Sequence, residues 1–113
     1  MRFRSTMRLE TRRALYDALG FAEKIGELGQ LDQLPLGVKE LALERLISNL
    51  GEALGRVRKT EPVVYDKLPS APALIAFRNA LVHGYDQVDL RLTEEIIRED
   101  VPRILTEISA QLR

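Results

Sequence analysis

Between residues 38 and 58 the apolar side chains Leu43, Leu46, Ile47, Leu50, Ala53, Leu54 and Val57 recur at three- and four-residue steps. That spacing puts them on one stripe of an α-helix and does not fit a strand, whose faces alternate at every second residue. A stripe this continuous has to be covered by another helix, in the same chain or in a second one. Gly51 and Gly55 interrupt it four residues apart. Each costs a helix about 1 kcal/mol relative to alanine, so both are read as places where a neighbouring helix comes close.

The chain supplies helices to cover the stripe. Leu15, Leu19, Ala22, Ile25 and Leu28 predict a helix over residues 8–28, weakened at its end by Gly26 and Gly29 and followed by a loop containing Pro35. Thr60-Glu61-Pro62 reads as an N-cap and first turn of a short helix over residues 62–68, which Pro69 and Pro72 then break. Ser70 is placed to cap a third long helix over residues 71–83, with Leu74, Phe77, Leu81 and Val82 as its buried side and Gly84 as its stop. Beyond a polar loop at 86–89, Ile96, Ile97, Val101, Ile104, Leu105, Ile108 and Leu112 define a last helix. Pro102 lies inside that pattern, lacks an N–H, and should kink or divide the helix near Asp100. The expectation is an all-α, up-and-down bundle of four main helices plus a short helix, with a Pro-kinked C-terminal helix, formed by residues 1–113 as a single domain.

Composition narrows the function classes. The chain has no cysteine, which excludes disulfides and cysteine-ligated zinc and suits a cytoplasmic location. No run approaches the ~20 apolar residues that span a bilayer, and no apolar segment follows the N-terminal arginines as a signal peptide would require. Seventeen basic residues balance seventeen acidic ones, whereas a dedicated nucleic-acid binder is more often basic overall. Arg2, Arg4, Arg8, Arg12 and Arg13 nevertheless face only Glu10 in the first thirteen residues. Such an arm either touches phosphates or is a solvated terminus, the second being commoner. One histidine, no cysteine and scattered carboxylates give no metal-ligand spacing, and there is no Gly-rich phosphate loop. No metal and no cofactor is expected.

One stretch does not read as core. Phe77-Arg78-Asn79-Ala80-Leu81-Val82-His83-Gly84-Tyr85-Asp86 holds the only histidine and gathers Arg, Asn, His and Tyr around a helix end. Taken alone, a histidine near a helix C-terminus is more often a dipole-favoured surface or structural residue than a base. Glu52, beside the apolar stripe, has two open assignments: pairing with a bundle arginine such as Arg78, or facing solvent.

Arg78-x4-His83-x-Tyr85 resembles the signature of the HepT-like members of the HEPN superfamily, in which a polar residue such as Asn79 follows the arginine. The likeness extends to Glu44-Arg45-Leu46-Ile47-Ser48-Asn49-Leu50-Gly51-Glu52-Ala53-Leu54, similar to the family's second-helix block. It extends also to Asp86-x2-Asp89 and Glu99-Asp100-Val101-Pro102, similar to its acidic tail. The blocks fall in the family's order across residues 38–112. The chain departs from the family at Val64-Tyr65-Asp66-Lys67-Leu68, where an aromatic such as Trp is common, and at Asp86, where another aromatic often follows the tyrosine.

The resemblance implies a metal-independent endoribonuclease, the toxin of a type II/VII-like HEPN–nucleotidyltransferase toxin–antitoxin system. Such a nuclease activates the RNA 2′-OH against the neighbouring phosphate and needs a base, an acid and a cation for the charged phosphorane. Arg78 and His83 are the implied catalytic pair, Arg78 as phosphate clamp and His83 as base or acid, with Asn79 in support. Residues five apart on a helix point about 140° apart, and each chain has one histidine. Both facts favour a composite site lined by two copies of Arg78 and His83 in a homodimer. The resemblance implies a nucleotidyltransferase antitoxin as partner, with Tyr85 as acceptor of an AMP group. Two alternatives remain. One is a non-catalytic HEPN module that binds RNA or nucleotide or serves the nucleotidyltransferase as partner. The other is a helical dimerisation protein in which the motif is structural.

Overall fold

The computed structural model describes residues 7–31, 33–35, 37–83 and 90–113. The order of elements is α1 (Leu9–Gly29), α2 (Val38–Thr60), a one-turn α3 (Pro62–Tyr65), α4 (Ala71–Val82), α5 (Leu90–Glu95), a π-helical turn (Ile96–Asp100) and α6 (Val101–Leu112). Among the described residues there is no strand, in keeping with the three- and four-residue spacing of the apolar positions.

α2 is the central element. It packs against α1 and against α4, and α6 packs against α1. Cross-helix contacts fix the directions. Thr11 meets Thr60 at one end of the α1–α2 pair, and Lys39 Nζ donates to the Gly29 and Leu31 carbonyls at the other. Gly51 meets Arg78 midway along α2 and α4. The four long segments therefore run up and down. The stripe of α2 is covered as expected: Ile47, Leu50, Ala53, Leu54 and Val57 have no exposure. On α1, Ala18, Ala22 and Ile25 are likewise sealed, and the alanines let the two backbones approach closely enough for dense packing.

Local details depart from the sequence reading in physically simple ways. Thr60 does not cap α3. It ends α2, and its hydroxyl lies 2.8 Å from the Arg56 carbonyl and 3.0 Å from the hydroxyl of the buried Thr11. As the last residue of α2 it lies one position too early, and the N-cap position of α3 falls on Glu61. α3 stops at Tyr65, over whose ring the Arg58 guanidinium lies at 5.7 Å, and Leu68 is buried from the turn beyond. Ser70 sits at the N-cap of α4, but its hydroxyl goes elsewhere. Its Oγ and backbone N–H both donate to the Glu107 carboxylate, at 2.7 and 2.9 Å. That pair of charge-assisted bonds ties α6 to the positive end of α4. Val82, assigned to the buried side of α4, is 54% exposed, because it stands at the last turn where α2 no longer covers it.

Pro102 divides the last helix at Asp100, as its missing N–H requires, and the division takes the form of a π turn. The turn leaves Ile96 and Val101 buried and keeps α6 amphipathic, with Ile104 and Ile108 sealed against the core. It also draws Asp100 part-way out of solvent, with Glu95, Glu99 and Glu107 near by. Burial first, and then repulsion by these carboxylates, raise the Asp100 pKa against the opposing pull of Arg103. A carboxyl whose folded pKa is raised is most favourable to folding while protonated, and that contribution is lost as pH rises through the folded pKa. Asp100→Asn, uncharged throughout, is therefore expected to melt higher than wild type at pH 7. The two melting curves should converge below about pH 4, near the ordinary carboxyl value. Thermal denaturation by circular dichroism across that range measures it. A variant less stable than wild type at neutral pH would contradict the account.

Candidate functional site

Two helices build the site. α2 contributes Gly51 and Glu52; α4 contributes Arg78 and Asn79 and ends on His83. The contact between them depends on an absent side chain. A Cβ placed on Gly51 would lie 2.6 Å from Arg78 Cβ, 3.0 Å from its Cγ and 3.2 Å from the Leu74 carbonyl oxygen. No alanine fits there without the helices moving apart. A Cβ on Gly55, by contrast, would meet nothing within 4 Å, so only one of the two glycines is a point of close approach.

The Arg78 side chain leaves α4 against this bare patch of backbone and is held at its far end. Nη1 donates to Asn79 Oδ1 at 3.1 Å, and Nη2 lies 3.6 Å from Glu52 Oε2. Nε is buried and has no hydrogen-bond partner, yet the side chain as a whole keeps 30% exposure. The two assignments left open for Glu52 both hold: it pairs with Arg78, and it faces solvent at 57% exposure. Glu52 also lies 3.9 Å from Arg56, which Asp17 of α1 holds more tightly at 3.0 Å. Exposed ion pairs of this kind contribute about 0–1 kcal/mol. The row Asp17–Arg56–Glu52–Arg78 therefore sets side-chain positions more than it holds the bundle together.

His83 is the C-cap residue of α4, and its N–H donates to the Asn79 carbonyl at 3.0 Å. Its side chain is exposed, as are those of Pro72, Ala73, Ala76 and Asn79, and these residues form one outward arc of α4. Arg78 lies on the opposite side of that helix, toward α2. The two backbone directions diverge by about 140° and the residues are about 7.5 Å apart along the axis. Asn79 connects them, since its carboxamide accepts from Arg78 while its carbonyl receives the His83 N–H. Tyr85 lies outside the described residues, as do Gly84, Asp86, Asp89, Arg2 and Arg4. Among the described residues no group of three His, Cys, Asp or Glu side chains converges as metal ligands would, and no helix is long and apolar enough to cross a membrane.

The role of Gly51 was only half readable in the sequence. A glycine within an apolar helical stripe announces a close neighbour, but not that the neighbour is the arginine of the polar motif.

A family model described as Ribonuclease HepT-like matches residues 15–110. The match spans both blocks that build the site, from Gly51 and Glu52 to Arg78, Asn79 and His83, and includes Tyr85. Comparison with curated proteins and with solved structures gives no match.

Alanine at the two glycines of α2 separates the close approach from ordinary helix propensity. Gly51→Ala overpacks the α2–α4 contact and is expected to destabilise the fold by about 1–3 kcal/mol. Gly55→Ala, with open space around it, should instead gain roughly 0.5–1 kcal/mol. Urea unfolding of both variants measures the pair, and equal effects at the two positions would contradict the geometry described.

Proposed function

This chain belongs to the HepT-like ribonuclease family, and from that membership we propose that it is a metal-independent endoribonuclease that cleaves RNA at a site made by Arg78 and His83. The observation that carries this reading is the bracing of Arg78. A guanidinium held from one side by Glu52 and from the other by Asn79, and still 30% exposed, is a fixed cation offered to an incoming anion. Guanidinium matches phosphate geometry and stays charged at every relevant pH.

In the proposed reaction the RNA 2′-oxygen attacks the adjacent phosphorus as its proton passes to one His83 imidazole. The bond from phosphorus to the 5′-oxygen breaks, and a protonated imidazole supplies that oxygen with its proton. The products are a 2′,3′-cyclic phosphate and a free 5′-hydroxyl. Arg78 neutralises the extra negative charge on the phosphorane. Asn79 accepts from Arg78 through its Oδ1 and is exposed, so its amide NH2 can donate to a phosphate oxygen. A base and an acid are both required and each chain has one histidine, so the reading places the site across a two-fold homodimer. The C-terminal half of α4, from the partly exposed Arg78 to His83, is the surface that would meet its copy.

The biological setting follows from the resemblance: the toxin of a HEPN–nucleotidyltransferase toxin–antitoxin pair acting on cytoplasmic RNA, with Tyr85 as the AMP acceptor. A phosphodiester two residues from His83 would put negative charge at the phosphate cleft and compete with RNA. The zero net charge favours, as second reading, a module that binds RNA or nucleotide, or the nucleotidyltransferase, without cutting RNA.

Purified protein incubated with RNA in EDTA distinguishes the two. The expected result is cleavage to cyclic-phosphate ends. Arg78→Ala and His83→Ala should each reduce it by roughly 100-fold or more while retaining wild-type helical circular dichroism. RNA binding without cleavage would favour the second reading, and cleavage that both substitutions leave intact would remove the assigned pair.

A further inference from the structure

We infer that Glu52, seated beside Arg78 by the Gly51 contact, is a positioning residue that fixes the plane of the Arg78 guanidinium and leaves its Nη1/Nη2 end to take the phosphate. The inference rests on the ribonuclease reading above and concerns how its cation is aimed. Arginine offers two bidentate edges, Nε with one Nη, or the two Nη atoms together. Here Nε is buried, so the first edge is closed to an incoming ligand. The remaining edge is gripped at both corners, but unequally. Nη1 is hydrogen-bonded to Asn79 at 3.1 Å. Nη2 is 3.6 Å from the Glu52 carboxylate, beyond ordinary hydrogen-bond length. At that distance the carboxylate steers the cation by charge without consuming its donor. One anchor alone would let the planar group swivel about the Nη1–Asn79 bond; two anchors set its plane.

The anchor is in reach only because α2 and α4 touch. Glu52 follows the residue against which Arg78 Cβ packs, and the close approach at Gly51 keeps Glu52 Oε2 within the span of the arginine side chain. Arg56 is the other cation near Glu52, and its shorter contact is with Asp17 at 3.0 Å, which leaves the nearer Glu52 oxygen to Arg78. Both partners are substantially exposed, so the pair adds little to folding, and loss of Glu52 should show in the reaction rather than in stability.

The test is steady-state RNA cleavage by wild type, Glu52→Gln, Glu52→Asp and Glu44→Gln. The last makes the same charge change on an exposed turn of α2 away from Arg78. Glu52→Gln is expected to lower kcat by about 10- to 100-fold, the cost of a slightly misplaced catalytic group. KM should be unchanged or lower, because a negative charge near the phosphate is gone. Glu52→Asp should recover part of the loss, and Glu44→Gln should keep the wild-type kcat. The Nε–H resonance of Arg78, assigned by its absence from Arg78→Ala, reports the same aiming without catalysis: distinct from bulk arginine in wild type, and shifted from its wild-type position in Glu52→Gln but not in Glu44→Gln. Wild-type kcat in Glu52→Gln, or an unmoved resonance, overturns the inference while the ribonuclease reading stands. A wild-type protein that cleaves no RNA overturns that reading instead, and the resonance then decides the positioning role by itself.

Discussion

The distance between α2 and α4 is set at one point, where Gly51 presents bare backbone to the Cβ of Arg78. Any larger residue there forces the helices apart, and with them would go the reach of Arg78 to Glu52. The contact joins two levels of the structure that are usually separate. It belongs to the packing of the bundle, because α4 reaches the rest of the molecule mainly through α2. It belongs also to the site, because it decides where a long, always-charged side chain leaves its helix and what stands beside its far end.

The core contacts and the polar motif are otherwise kept at different places along α4. At its start Ser70 gives two hydrogen bonds to the Glu107 carboxylate, and Ala71, Leu74 and Phe77 sink into the core. Toward its end the burial thins: Leu81 is half-buried, Val82 and His83 are exposed, and the polar motif occupies the turns that the core no longer needs. A helix anchored at one end and open at the other can present Arg78 and His83 without burying an unpaired charge. On the proposed reading, a second copy of the chain would supply the other half of the site.

The bundle was legible because its signal is periodic. The stripe of α2, the four-residue recurrences of α1 and the apolar set of α6 each fix a buried face whatever the loops do. Pro102 announced a break, since a missing N–H is a property of the residue itself. The form of the break as a π turn was not legible, because it depends on how Ile96 and Val101 share one core. Gly51 and Gly55 look alike in sequence, and only the position of α4 distinguishes them. Thr60 looks like a cap in sequence, but α2 runs on to include it and the cap position of α3 falls on Glu61. Of the site, the residue types and their spacing were visible in Arg78-x4-His83. The bracing of Arg78 by Glu52 is a contact between residues 26 positions apart in the chain, and the sequence left two assignments for that glutamate open.

The central claim is that a working site needs Arg78 and His83 from two copies. Differently tagged wild-type and His83→Ala chains, co-expressed and purified as mixed dimers through both tags, test it most directly, because each mixed dimer keeps only one of the two histidines that the reaction uses. The account predicts that the mixed dimer falls far below half the wild-type rate of RNA cleavage, close to the His83→Ala dimer. A mixed dimer that cleaves at half the wild-type rate would contradict a site shared between protomers, since each wild-type chain would then work alone.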